Sequence, residues 1–126
     1  MKVRIYYEDT DAGGIVYHTR YINFCERARS NIFFDHDMLP VAGEKSGFVV
    51  RKINADFLGS AVLGDLLTVR TTLLALKRST TTLLQEIYKD EEKLFSMEIL
   101  LVYMDNGKIT RIPEQFKALF GTLQNK

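Results

Sequence analysis

From about Thr19 to Asp35 the apolar residues Tyr21, Phe24, Cys25, Ala28, Ile32 and Phe33 recur at steps of three and four, while Asn23, Glu26, Arg27 and Asn31 take the opposite side. This spacing predicts one long amphipathic helix, capped at Thr19 or His18. Before it, Val3, Ile5 and Tyr7 alternate with Lys2 and Arg4, the pattern of a short strand over residues 2–7. Between strand and helix, Glu8-Asp9-Thr10-Asp11-Ala12-Gly13-Gly14 gathers acids, a hydroxyl and paired glycines, a composition suited to a backbone that turns sharply or approaches a ligand.

Past a loop through Asp37, Pro40 and Gly43 the period falls to two and largely stays there. Val49, Ile53, Ala55 and Phe57 are expected to share one face of a strand. Leu67, Val69, Thr71, Leu73 and Ala75 repeat the alternation, as do Leu83 and Ile87, and then Phe95, Met97, Ile99, Leu101 and Tyr103. Gly59, Gly64 and Asp65 mark a turn, and the groups Lys77-Arg78-Ser79 and Lys89 to Glu92 read as hairpins, so the four strands are expected to form an antiparallel meander. Pro113 opens a short helix with Phe116, Leu119 and Phe120 on one side. A strand, one long helix and a curled antiparallel sheet make an α+β domain, in which the sheet covers the apolar stripe by wrapping around the helix.

Composition narrows the function classes. The chain has 126 residues, 46% hydrophobic and 26% charged, which suits one compact domain over 1–126. Seventeen Lys and Arg balance sixteen Asp and Glu, and the basic residues are scattered, so no stripe for nucleic acid is present. The N-terminus becomes charged before any apolar segment forms and no run reaches membrane-span length, giving a cytoplasmic expectation. The lone Cys25 makes no internal disulfide, in keeping with a reducing compartment.

The run Tyr7-Glu8-Asp9-Thr10-Asp11-Ala12-Gly13-Gly14-Ile15-Val16-Tyr17-His18-Thr19-Arg20-Tyr21 resembles the N-terminal signature of the 4-hydroxybenzoyl-CoA thioesterase family. Within it, the run is most similar to the branch of acyl-CoA thioesterases associated with the Tol-Pal system. The likeness extends through Cys25-Glu26-Arg27-Ala28-Arg29 and continues at Ala55-Asp56-Phe57-Leu58 and Gly64-Asp65. It implies a hotdog fold, hydrolysis of acyl-CoA without a cofactor, and an active site at the interface of a dimer that commonly pairs into a homotetramer. It also implies peripheral association with envelope or lipid-synthesis proteins.

Carried over residue by residue, the resemblance places the catalytic carboxylate on Asp11 and the backbone N–H that faces the thioester carbonyl on His18. A helix N-terminus offers free N–H groups and a positive dipole end to the charge that develops on that carbonyl. Asp11 is chemically able to attack directly or to deprotonate water. Gly13 either frees the loop to turn beside substrate or serves the turn alone, and Tyr7 either hydrogen-bonds carboxylate or substrate or packs at a strand end. The His18 imidazole either orients water or only begins the helix. For the phosphates of coenzyme A the basic candidates are Arg51 and Lys52 on a strand and Lys77 and Arg78 at a hairpin; by parity Arg51 falls on an otherwise apolar face. Arg20 stands where relatives carry a small or neutral residue, and Ser60 where many have proline, which sets a long cation near the helix start and leaves acyl-chain preference outside the resemblance.

Other chemistries fit the same residues less well. Asp9, Asp11 and Gly14 match places one, three and six of a calcium-binding EF-hand loop, but place five is Gly13 and place twelve is Arg20, where oxygen ligands are needed. Two histidines without a His-x-x-His or His-Glu pair supply no hydrolytic metal set, so no metal is expected. Cys25 and His18 are about 10.5 Å apart along a helix axis, too far to share a proton. Glu26 lies opposite the buried stripe, which suits a salt bridge or interface better than catalysis. A non-catalytic acyl-binding or envelope adaptor and a hotdog dehydratase remain as rival functions.

Overall fold

The computed structural model describes residues 1–125. Helix α1 spans His18–Phe34 and buries Tyr21, Phe24, Cys25, Ala28 and Phe33, the stripe read from the sequence. Its N-cap is Tyr17, one residue before His18 and two before Thr19, and no side chain caps it. Strand β1 is Lys2–Arg4 only; residues Tyr7–Asp9 form a 3-10 turn instead of continuing it. Asp9 causes the break, since its Oδ2 accepts the Tyr6 N–H and turns the chain.

Five antiparallel strands build the sheet in the order β1, β3 (Leu66–Leu76), β4 (Thr80–Lys89), β5 (Glu92–Asp105), β2 (Ser46–Phe57). The expected hairpins join β3 to β4 and β4 to β5. The four-strand meander, however, is corrected: β2 pairs with β5 and not with β3. Residues 58–65 are a crossover, not a hairpin turn. They leave β2 at Leu58, whose N–H bonds Leu94 O, pass the start of α1 where Ala61 O accepts the Val16 N–H, and reach β3 on the far side of the sheet, next to the edge strand β1. Turn residues such as Gly59 and Gly64 mark a change of direction but not its length, so sequence pattern did not separate the two connections.

Two bulges correct the expected faces. Val50 lies opposite Leu101 and Lys52 opposite Leu100, leaving Arg51 as the extra residue. Parity switches there, so Phe48 and Val50, not Val49, share the face of Ile53, Ala55 and Phe57. Arg51 is thereby explained as an exposed bulge residue and does not belong to an apolar face. A second bulge at Leu74 puts Leu76, not Ala75, in line with Leu73.

The concave face carries Leu67, Val69, Leu73, Leu83, Ile87, Phe95, Met97, Ile99, Leu101 and Tyr103, all buried, and α1 lies against it. This is the expected hotdog arrangement. Tyr21 stacks on Phe95 at 5.5 Å between ring centroids. Helix α2 (Glu114–Gly121) follows Pro113 and closes the other end, with Phe116 and Phe120 meeting Phe33 edge-on at 5.2 and 5.8 Å. A small strand β6 (Lys108–Ile109) returns onto β5 through Asn106 and Gly107, both at positive φ, an Asn-Gly turn signal that the sequence reading passed over. The chain then adds β7 (Gln124–Asn125), parallel to β3.

Candidate active site

The acidic loop folds as a small hairpin that feeds directly into α1. The Tyr17 N–H bonds Asp9 O at 2.9 Å, Thr10 bridges Val16, and the Asp11 N–H bonds Ile15 O at 2.9 Å. Asp11 therefore sits two rungs from the helix cap, about 7 Å of extended chain. Its Oδ1 accepts the Gly13 N–H at 2.9 Å, and Gly14 turns the chain at φ +83°. This local bond fixes one carboxylate oxygen and leaves Oδ2 without a partner among the described residues, on an exposed side chain.

At the helix start, Arg20 N–H bonds Tyr17 O, whereas the N–H groups of His18 and Thr19 make no hydrogen bond among the described residues. A helix that begins without a side-chain cap presents free donors and its positive end to whatever lies before it. The His18 ring is held by Tyr17 at 4.7 Å and by Phe57 at 5.9 Å, edge-on, so the imidazole is fixed by ring packing rather than by a hydrogen bond.

The feature that sequence reasoning missed is Asp9. It is only 3% exposed, accepting Nε and Nη2 of Arg20 on Oδ1 at 3.0 and 2.6 Å and the Tyr6 N–H on Oδ2. The long cation near the helix start is thus turned onto Asp9, which balances its charge. The signal was present as an acid eleven residues before an unusual arginine, but no periodicity connects a loop residue to a helix residue. On the other side, the crossover is pinned to the site. The Ala61 N–H donates to Tyr21 Oη at 3.0 Å, and Ile15 bridges Val62. Burial raises the Tyr21 phenol above its ordinary value of 10.0. Asp65 accepts the Val62 N–H, which holds its carboxyl below the ordinary 3.8, and Lys89 at 3.1 Å adds to the effect.

Of the residues singled out from sequence, Asp11, Gly13 and His18 share this one corner. Tyr7 flanks the loop, 81% exposed and with no side-chain hydrogen bond among the described residues; its carbonyl accepts the N–H and hydroxyl of Thr10. Lys77 and Arg78 occupy the β3–β4 turn, at the opposite end of β3 from Leu66 and the crossover, roughly 30 Å away along an eleven-residue strand. Arg51 and Lys52 lie mid-way along β2. A single chain does not bring these cations to Asp11. Cys25 is buried in the core, its thiol pushed up to about 12 by burial, and serves packing. Glu26 is exposed and accepts the Ser30 hydroxyl at 2.8 Å, with no ion pair among the described residues. No group of three or more His, Cys, Asp or Glu poised for a metal ion occurs among the described residues, and no helix there is long and apolar enough to cross a membrane.

Comparison with known proteins adds independent information. Residues 6–120 match the thioesterase-like superfamily. The chain is 39% identical to an acyl-CoA thioesterase, YbgC, of Helicobacter pylori, covering 98% of this chain and 100% of that one. A structure from Bartonella henselae described as a "probable thioesterase" superposes with a TM-score of 0.83 at 33% identity, over 90% of this chain and 97% of the other. A 1,4-dihydroxy-2-naphthoyl-CoA thioesterase from Synechocystis gives a TM-score of 0.89 at 19% identity, covering 98% and 95%, a likeness of fold alone.

Proposed function

The chain belongs to the thioesterase-like superfamily, and on that premise we propose that it is a cytoplasmic acyl-CoA thioesterase, a single hotdog domain whose reaction centre is Asp11 beside the start of α1. The observation that carries this reading is the pairing of an exposed carboxylate, half fixed by Gly13, with a helix whose first two N–H groups are free. The thioester carbonyl oxygen would lie against the His18 N–H, where developing negative charge is stabilised most. Asp11 then acts in one of two ways. As a nucleophile it forms a mixed anhydride and releases the CoA thiolate, and water cleaves the anhydride; as a general base it takes a proton from the attacking water. Rapid-quench mass spectrometry of a single turnover separates them, since only the nucleophilic route passes through an acyl adduct on Asp11; heavy-oxygen label in the Asp11 carboxylate marks that same route when water attacks the aspartyl carbonyl.

The relative from Helicobacter pylori is named for acyl-CoA, which supports the same substrate class here. The working unit in this reading is a homodimer or homotetramer. Strand β2 supports it: twelve residues long, it is the edge strand beside β5, and Val49, Val50, Ile53 and Phe57 on it are between 38% and 51% exposed. An uncovered apolar edge of that length is a template for pairing. In such an assembly Arg51, Lys52, Lys77 and Arg78 reach coenzyme A phosphates from a second copy, and envelope or lipid-synthesis proteins bind peripherally.

The test is thiol release from a panel of acyl-CoAs by purified protein and by Asp11→Asn, with sedimentation on the same samples. Release abolished in the variant is expected, from an assembly of two or four chains. No release from any acyl-CoA, or undiminished release by the variant, overturns the reading.

A further inference from the structure

Tyr21 stands in the first turn of α1, and its side chain reaches a part of the chain forty residues away. The Ala61 N–H donates to Tyr21 Oη at 3.0 Å; Tyr21 is 3% exposed and Ala61 0%, so both groups are shielded from water and depend on each other. The carbonyl of the same residue carries the link onward, since Ala61 O accepts the Val16 N–H at 2.9 Å. Val16 bridges Thr10, and on the next rung the Asp11 N–H bonds Ile15 O. One crossover residue thus ties the first turn of α1 to the hairpin arm that faces Asp11.

These contacts close a ring. The chain itself joins the hairpin to the helix through Tyr17, whose N–H bonds Asp9 O at 2.9 Å, and the path Tyr21, Ala61, Val16 joins them a second time. The two halves of the proposed reaction centre ride on the two parts of that ring: the Asp11 carboxylate on the hairpin, and the N–H groups of His18 and Thr19 on the helix. With only the chain connection, backbone torsions around Tyr17 would let one half swing against the other; the second link removes that freedom. The Tyr21 ring is itself held, stacked on Phe95 at 5.5 Å and edge-on to Phe24 at 6.5 Å, so the hydroxyl is presented from a fixed base. Burial keeps the phenol protonated, and it adds no charge to the centre.

We propose that Tyr21 is a positioning residue for the hydrolysis: through Ala61 and Val16 its hydroxyl fixes the Asp11 carboxylate relative to the N–H groups at the start of α1, without touching substrate. This role rests on the thioesterase reading above. Tyr21→Phe removes the acceptor and keeps the ring. In steady-state thiol release its kcat is expected to fall by about tenfold or more, with KM within about twofold of wild type, for every acyl-CoA that wild type cleaves. Ile112→Val, a change at a fully buried residue just before α2, is the structural control, expected to lower the melting temperature and leave kcat unchanged. Amide hydrogen exchange reads the link without any activity: in Tyr21→Phe the N–H groups of Ala61, Val16 and Asp11 should exchange about tenfold faster or more, with β4 and β5 unaltered. If Tyr21→Phe does not fold, exchange in wild type decides, because one ring requires Ala61 and Val16 to open together at a common rate. Unequal protection of those two amides, a wild-type kcat in Tyr21→Phe, or a raised KM at unchanged kcat overturns the positioning role and leaves the hydrolytic reading intact. No thiol release from any acyl-CoA by wild type overturns both.

Discussion

Arg20 Nη2 lies 2.6 Å from Asp9 Oδ1, a contact that joins the first turn of α1 to the 3-10 turn that opens the acidic loop. The same carboxylate holds the Tyr6 N–H through its second oxygen, so one buried group fixes both ends of the segment that presents Asp11. Removing Arg20 leaves that carboxylate buried without a counter-charge. Arg20→Met is expected to destabilise the protein by about 3 kcal/mol, and the double variant Asp9→Asn/Arg20→Met by clearly less. Denaturant titration of the four proteins of the cycle measures this; equal losses in the single and double variants would refute the coupling.

Asp11→Asn is the cleanest probe of the chemistry. An asparagine oxygen still accepts the Gly13 N–H, so the loop keeps its shape while the negative charge is lost. Thiol release is expected to fall by roughly 100-fold or more with the melting temperature unchanged.

The two neighbouring glycines should respond differently. At Gly14 nothing lies within 4 Å of an added Cβ, but φ is +83°, so Gly14→Ala costs about 1 kcal/mol of stability through backbone strain alone. At Gly13 an added Cβ meets Asp11 Oδ1 at 3.2 Å. Gly13→Ala is therefore expected to cost more activity than stability, and kcat beside thermal unfolding distinguishes the pair.

The Cys25 thiol, pushed up to about 12 by burial, should resist labelling by a thiol reagent at pH 8 in the native state and react once per chain in denaturant. Rapid native labelling would show that α1 leaves the sheet.

Asp65 links stability to pH. The Val62 N–H, followed by Lys89, lowers its folded value, so the unfolded chain binds this proton more tightly. Its contribution is present above the ordinary value of 3.8 and fades as pH falls through the lower folded value. The stability difference between wild type and Asp65→Asn should accordingly be full at neutral pH and shrink under acid. A difference that does not vary with pH contradicts this.

What the sequence by itself determined was local. The stripe Tyr21 to Phe33 specified α1, alternation specified β3 to β5, and the dense motif from Tyr7 to Arg29 indicated the family and the Asp11 corner, because side-chain period and short-range spacing are printed in the chain. The tertiary structure decided the rest. It set β2 beside β5, made residues 58–65 a crossover over the start of α1, shifted parity at Arg51, and closed Asp9 onto Arg20 and Arg29 onto Gln85. Each of these joins residues whose proximity depends on how whole elements pack, and a turn residue or a lone charge carries no record of its distant partner. That Asp11 lies beside the start of α1 was legible from the sequence. The clamp that holds it in place was not, because a buried ion pair exists only once the fold has excluded water from both groups.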